Sequence, residues 1–561
     1  MSAAGVARLL PGRRDYAGAR TSWRADLVAG ITVAVVALPL ALGFGVASGL
    51  GAEAGIVTAI VAGVVAAAFG GSHVQVSGPT GAMTVVLVPV VASVGPSGVA
   101  IVALLAGLIL VGLGAARLGR YAGILPWPVV EGFTVGIALL IFLQQVPAAL
   151  GVAKPHGENT AAVAVRAIGD WGGSGWTALG LVALTAAVMA ALPRLHHGLP
   201  ASLAAVVAAT GVAELAGLDV ARIGHIPAGL PAPGLPDLSG GHAGQLASAV
   251  VAVAALAAIE SLLSAKVADG MSDGEPHDPD RELVGQGLAN VAVAFFGGMP
   301  ATGAIARTAV NVRAGARTRL AALVHGIVLV LVVLALAPLL AHVPLAALAG
   351  VLMVTAVRMV ELGDVGRILR STRSDALLVT VTAVATVAFD LVVAVGAGVV
   401  LASLLALKAM ADATTFAPEG APPPAADRVD ADLEHELLDQ HIVAYRLDGA
   451  LFFGAAQRFL LELTEISDVE VVILRLGDLR VLDSTGAQAV ADLVGRLQHR
   501  DITVLLASVT PAHARLLART GALDALAHER HLLPTMDAAL EHARTHVRRG
   551  HRAPSLSIAA L

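Results

Sequence analysis

The sequence predicts a polytopic α-helical membrane protein of about fourteen transmembrane segments in two inverted halves of about seven, followed by a small soluble α/β domain. Three observations predict it. Hydrophobic residues make up 57% of the 561 and charged residues only 14%, at a mean hydropathy of +0.80, more apolar surface than a soluble fold can bury. Two stretches, Gly78-Pro79-Thr80-Gly81-Ala82-Met83-Thr84 and Met299-Pro300-Ala301-Thr302-Gly303-Ala304-Ile305-Ala306-Arg307-Thr308, nearly repeat each other. Each sets Pro, Thr and Gly before an apolar segment too short to span a bilayer. Near Thr414 the composition turns polar, and strand-like and helix-like patterns then alternate to the C-terminal region.

Taken in order, residues 1–24 carry Arg8, Arg13, Arg14, Arg20 and Arg24 and are expected as a cytoplasmic N-terminus. No small-residue cleavage site follows a short apolar core, so no signal peptide is read. Helix-length apolar segments lie near 27–49, 53–70, 98–116, 126–150, 176–192 and 198–217, and again near 245–266, 284–298, 318–342, 346–360, 374–389 and 392–410. The broken segments starting at Gly81 and Ala304 each become the third of their half. Aromatic residues are only 3% of the chain, so helix contacts fall to Ala, Gly, Val and Leu.

An odd number of segments per half inverts the second half in the bilayer. Charge placement agrees. With the N-terminus inside, cytoplasmic loops hold Arg117, Arg120, Arg194, Lys266, Arg281, Arg313, Arg317, Arg319, Arg358, Arg367, Arg370 and Arg373, whereas outer loops hold Lys154, Arg166 and Arg222. The transmembrane domain is therefore set at 25–412 in a cytoplasmic membrane, with both termini in the cytoplasm. Helices interrupted at matching points of two halves can aim their N-terminal N–H groups at one spot near the midplane, where an anion is stabilised.

Pro418, Pro422, Pro423 and Pro424 mark a linker over 413–427, and a soluble domain is set at 428–548 with a tail at 549–561. Residues 441–447, 471–476 and 502–507 read as strands; Ser484–Gln498 and Pro511–Gly521 read as helices. The basic run His542 to Arg552 reads as solvated, or as touching anionic headgroups.

Ala37-Leu38-Pro39-Leu40-Ala41-Leu42-Gly43-Phe44-Gly45-Val46-Ala47-Ser48-Gly49, Gly71-Ser72-His73-Val74-Gln75-Val76-Ser77-Gly78-Pro79-Thr80 and Arg480-Val481-Leu482-Asp483-Ser484-Thr485-Gly486 together resemble the sulfate permease (SulP) family of anion transporters with its C-terminal STAS domain. Glu260-Ser261-Leu262-Leu263-Ser264 and Arg281-Glu282-Leu283-Val284-Gly285-Gln286-Gly287 resemble its bacterial bicarbonate branch. The resemblance implies a core domain moving against a gate domain, an elevator-like cycle, a homodimer, and secondary active transport of bicarbonate or sulfate.

Site residues follow. Thr80, Gly81, Ala82, Thr302, Gly303, Ala304 and Ile305 lie at the two half-helix starts, as anion donors or as caps. Arg307 either adds positive charge to the anion site or anchors a cytoplasmic end, and Phe44 walls the site or packs. Glu260 is an ionisable group inside an apolar span, a functional position by default, with the Ser264 hydroxyl one turn on. The resemblance implies a sodium site at Glu260 and Ser264, but Ile305 stands where a Thr completes it, so either H⁺ or Na⁺ is the expected coupling ion. Thr302 is the alternative oxygen donor. Ser484 matches a phosphorylated position of related regulatory domains, whereas in transporter-linked STAS domains the resemblance implies a structural turn.

No cysteine is present, no Gly-Lys-Ser/Thr phosphate loop, and no nucleophile–base pair, so disulfides, an ATP-driven pump and an enzyme are not expected. His73, His242 and His325 stand singly, and no metal site, other cofactor or nucleic-acid partner is expected. The partners expected are a small inorganic anion, the lipid bilayer and a second copy. The alternatives are a nucleobase-type permease, an anion channel, and a membrane-anchored STAS signalling module.

Overall fold

The computed structural model describes the chain except for residues 1–8, 10, 17, 121–126, 156–158, 174, 196–198, 237–242, 273, 390, 413–414, 419–440, 452–468, 483, 525, 527 and 551–561; structural statements below concern the described residues. Two compact units emerge, Met1–Val400 and Leu401–Leu561.

Uncharged runs of Ala, Val, Leu and Gly form helices in the first unit because only intrahelical bonds satisfy a backbone surrounded by lipid. In chain order these are α1 (Ala19–Ser48), α2 (Ala52–Phe69), strand β1 (Ser77–Gly78), α3 (Gly81–Ser93), α4 (Pro96–Ala115), α5 (Trp127–Gln144), α6 (Val146–Ala149), α7 (Thr160–Gly169), α8 (Trp176–Leu195) and α9 (Ala201–Leu215). Then come α10 (Ala243–Met271), α11 (Pro279–Phe295), strand β2 (Thr302–Gly303), α12 (Ile305–Arg313), α13 (Leu320–Leu340), α14 (Leu345–Met359), α15 (Leu362–Ser371), α16 (Arg373–Ala388) and α17 (Leu391–Asp412), whose residues from Leu401 on belong to the second unit.

Eight helical segments are long and apolar enough to cross a membrane. A helix also stands at every segment read from the sequence. Three features differ from that reading. The segment at 126–150 breaks at Gln145, because Pro147 cannot continue the hydrogen-bond ladder. α7 is an unforeseen helix, started by Asn159, whose side chain accepts the Ala162 N–H. α15 is another, too polar and short for a span yet helical between Asp364 and Arg370.

Small residues let backbones meet. A methyl group on Gly107 of α4 would strike the Gly287 carbonyl of α11, and one on Gly287 would strike the Gly107 carbonyl. The N-terminal segment is tied in by charge. Arg281 Nη1 donates to Asp15 Oδ1 at 2.7 Å, and Arg319 Nη2 stands 3.7 Å from the same oxygen. Asp26, fully buried, accepts the Arg317 and Thr318 N–H groups and the Thr318 and Ser22 hydroxyls. Burial pushes the Asp15 carboxyl up, but hydrogen bonds from Arg281 and the Gly12 N–H, with the fields of Arg281 and Arg319, outweigh this and hold it below the usual carboxylate range.

In the second unit, β3 (Thr415–Pro418), β4 (Ile442–Leu451), β5 (Val471–Arg475), β7 (Thr503–Ala507) and β8 (Leu532–Leu533) form a sheet in that order, with β6 (Leu479–Leu482) also paired to β4. β3–β4 is antiparallel and the other pairs are parallel. Helices α18 (Ser484–Gln498), α19 (Pro511–Arg519) and α20 (Met536–Gly550) complete it. Strand alternation divides the core: Val472 and Leu474 pack with Val490, Leu493 and Leu517 on one face, while Val471 and Ile473 pack with Ala539 and Ala543 on the other.

β3 lies in the stretch read as linker, and Pro418 ends it rather than starting a spacer. The rest of that linker falls largely outside the described residues, as do Asp483, His242 and the last residues of the tail. Ser484 is the first residue of α18. The basic run from His542 begins within α20, which buries Ala539 and Ala543 while its Arg548 is exposed. The expectation of no metal-type cluster also needs correction, because the ligand nitrogens of His531, His542 and His546 all lie within 4.8 Å of one another. Burial, then the neighbouring His546, His542 and His528, pushes His531 down to about 4, so its ring is neutral at physiological pH.

Asp15→Asn is expected to lower the thermal midpoint of the detergent-solubilised protein. A carboxyl depressed in the folded state contributes stability above its unfolded value that is lost as pH falls through the folded value. The gap between wild type and variant should therefore stay constant above about pH 5 and close below about pH 4. Midpoints measured across that range check it.

Candidate functional site

The site begins with two unwound segments that pair with each other. Pro79 and Pro300 remove backbone donors and bias the residues before them away from helix. Ser77 then pairs with Gly303 and Gly78 with Thr302 in an antiparallel bridge, and the Ala304 N–H donates to the Val76 carbonyl at 3.0 Å. The bridge thereby satisfies part of the backbone freed by unwinding.

Two short helices start from this crossing. At 1.5 Å per residue α3 is about 20 Å long and α12 about 14 Å, both short of a bilayer's roughly 30 Å. Their N-caps, Thr80 and Ala304, are extended, and neither side chain accepts a bond from its own first turn. No side-chain cap meets the leading N–H groups of either helix among the described residues.

Polar side chains hold the crossing from behind. Glu282 of α11 accepts the Gly71 and Ser72 N–H groups at 2.8 and 3.1 Å, and Gln286 donates to both Glu282 and the Ser77 hydroxyl. On the other side Asn290 accepts the Ala301 N–H and donates to the Ala301 carbonyl, and Thr58 accepts the Met299 N–H. Ser261 of α10 accepts the Gly303 N–H at 2.9 Å and bonds the Thr302 hydroxyl at 2.9 Å. Ser264 bonds Thr308 at 3.2 Å, and Thr308 accepts the Val76 N–H.

Charge sits in front. The Thr80 hydroxyl donates to Glu260 Oε2 at 3.1 Å. Arg307 of α12, 2% exposed, donates through Nη2 to the Pro79 carbonyl, while its Nη1 has no partner among the described residues. A Cβ on Gly78 would stand 2.5 Å from that Nη1, so the end of the Arg307 side chain would have to shift to admit one. Glu260 and Arg307 feel each other's field without forming a direct ion pair. Phe44 of α1 is buried, and its ring lies 3.2 Å from where a Cβ on Gly81 would stand, with Ile141 of α5 closer still. Ala82 is buried on the same turn, and Ala304 is buried at the start of α12. Ile305 is 39% exposed at the start of α12.

The structure thus brings Thr80, Gly81, Phe44, Glu260 and Arg307 together. It turns Thr302 and Ser264 aside, into bonds that hold the backbone. Sequence reasoning passed over Ser261 although it follows Glu260. It also passed over Gln75, buried against Gly303 with both carboxamide atoms unpartnered among the described residues, and it read His325, fully buried with both ring nitrogens unpartnered, as a lone histidine. Gln75 was legible as a polar residue between Val74 and Val76 in the stretch leading to β1; His325 carried no signal beyond its place in an apolar run.

A profile of the sulfate permease family matches residues 23–382, well over half of the chain. The chain belongs to the sulfate permease family. Its members are transporters, not enzymes. A STAS domain profile matches residues 438–539. The "Putative sulfate transporter YvdB" of Bacillus subtilis (strain 168) is 34% identical over 507 residues, 88% of this chain and 93% of the relative. The bicarbonate transporter BicA of Picosynechococcus sp. (strain ATCC 27264 / PCC 7002 / PR-6) is 32% identical over 503 residues, 84% and 86% of the two chains. The solved structure of the murine Solute Carrier 26 family member A9 anion transporter in the inward-facing state shares the fold at TM-score 0.84 and 17% identity, covering 97% of this chain and 95% of that one.

Ser261→Ala removes the acceptor of the Gly303 N–H and the partner of Thr302, both fully buried. It is expected to cost about 1–3 kcal/mol of stability, the range for orphaning a buried polar group. Thermal unfolding in detergent checks this.

Proposed function

We infer that this chain carries out secondary active transport of a small inorganic anion, bicarbonate or sulfate, across the cytoplasmic membrane. The anion is held by the N–H groups that open α3 and α12, at Gly81, Ala82 and Ile305, with the Thr80 hydroxyl and Arg307 beside them and Phe44 as a wall. Thr302, Gly303 and Ala304 shape the β2 side. The observation that carries this reading is the Thr80–Glu260 hydrogen bond at 3.1 Å, which joins the carboxylate to the helix start that would bind the anion.

That bond suggests how coupling arises. Ionised Glu260 and Arg307 cancel in net charge. A cation on Glu260 leaves the Arg307 charge uncompensated in a low-dielectric interior, where it favours an anion strongly. The anion and its coupling ion then enter the site together, and the loaded core moves in an elevator-like step against the gate, within a homodimer whose termini are cytoplasmic. Similarity over 88% and 84% of the chain to a putative sulfate transporter and a bicarbonate transporter supports the substrate class.

Proton coupling is favoured over sodium. A hard cation needs several oxygen ligands. Ser264 and Thr302 are already hydrogen-bonded to Thr308 and Ser261, and Ile305 offers no side-chain oxygen. Proteoliposome uptake of labelled bicarbonate and sulfate, with sodium replaced by choline, tests this. Uptake of one of the two should persist without sodium; a strict sodium requirement would overturn proton coupling. Glu260→Gln should abolish accumulation against a gradient in a folded protein, and wild-type accumulation by that variant would overturn the role of Glu260. Ile305→Thr supplies the missing oxygen and should increase sodium stimulation, read in the same assay.

A further inference from the structure

The STAS unit contains a cluster that anion transport does not use. His542 and His546 lie one helical turn apart on α20, a spacing that puts both rings on one face. His531 comes from elsewhere: it closes the 3₁₀ turn Glu529–His531 just before β8, the edge strand that pairs with β7. The rings meet edge to face, with centroids 5.0 Å apart for His542–His546, 5.2 Å for His531–His546 and 5.7 Å for His531–His542. We propose that His531, His542 and His546 bind a divalent transition ion of the zinc class, with water in the fourth position.

The geometry suits such an ion. Two nitrogens bound to one tetrahedral zinc at about 2.0–2.1 Å must lie roughly 3.3 Å apart. The Nε2 atoms of His542 and His546 are 3.3 Å apart, and the third ligand nitrogen is within 4.8 Å of both, close enough for a rotation of the ring to complete the set. His531 is 5% exposed, and its Nδ1 has no hydrogen-bond partner among the described residues. Burying such a nitrogen unpaired is unfavourable, whereas metal ligation satisfies it.

The ligand set defines the chemistry. Three imidazoles without a thiolate or carboxylate select borderline ions such as Zn²⁺, Co²⁺, Ni²⁺ and Cu²⁺ over Mg²⁺ and Ca²⁺, which prefer oxygen. His528 stands nearby, its ring centroid 6.2 Å from that of His531, but its Nδ1 already accepts the Arg530 N–H. Bound metal would join α20 to the turn before β8, so its binding energy would add to the stability of that edge of the sheet.

The test uses tag-free, full-length protein in detergent, stripped with a chelator and titrated with ZnCl₂ by calorimetry, with metal content measured after dialysis. Wild type should take up one Zn²⁺ per chain and unfold at a higher temperature when loaded. Cobalt in its place should give the visible absorption of a tetrahedral site. His542→Gln and His546→Gln, at half-buried positions, should each weaken binding more than about tenfold, the lower end of what losing even a group that supports a metal ligand costs. The double variant should lose both the stoichiometric site and the thermal shift. No stoichiometric binding by wild type, or equal binding by wild type and the double variant, would overturn the proposal and leave a packed histidine cluster.

Discussion

The pairing of β1 with β2 is the interaction on which the site depends. Unwinding a helix in an apolar interior strands backbone donors and acceptors, each unfavourable by several kcal/mol if left unmet. The two unwound segments answer each other instead, Ser77 with Gly303 and Gly78 with Thr302. Because each strand leads directly into a short helix, the same pairing sets two helix starts side by side. Glu282, Gln286, Asn290, Thr58, Ser261 and Thr308 then complete the hydrogen bonding around the crossing. Every one of them reaches backbone or side chain of the crossing or of the segments leading into it. They form a frame rather than a ligand set.

Within that frame, two ionisable groups are kept where desolvation opposes them. Arg307 meets a carbonyl with one nitrogen and leaves another unpartnered, and Glu260 meets one hydroxyl. A fold selected only for stability gains nothing from leaving them so sparsely paired. The arrangement makes sense if the missing partners arrive as substrate and coupling ion, which is the physical content of coupled transport in this account.

Much of this was legible in the sequence because it rests on strong local rules. Pro followed by Thr and Gly in two apolar runs marked the unwound segments to within a residue, and the charge asymmetry of the loops agreed with helices at the segments read. What escaped rests on tertiary partners. Ser264 reads as a free hydroxyl one turn from Glu260, and only the fold reveals that Thr308 occupies it. Thr302 is likewise taken by Ser261. β3 hides in a proline-rich stretch because an edge strand tolerates Pro418 at its end. α20 hides because its charge masks two alanines that pack on the sheet. His531 joins His542 and His546 only through the turn before β8, a long-range meeting that the spacing of two residues on one helix does not announce.

The central claim is that the anion sits where α3 and α12 begin. Determining the structure in lipid with saturating amounts of whichever anion the protein transports tests it most directly. The account predicts density for one anion within hydrogen-bond distance of the N–H groups of Gly81 or Ala82 and of Ile305, with Arg307 or Thr80 turned toward it. An ordered anion elsewhere in the membrane unit, with these N–H groups unoccupied, would contradict it.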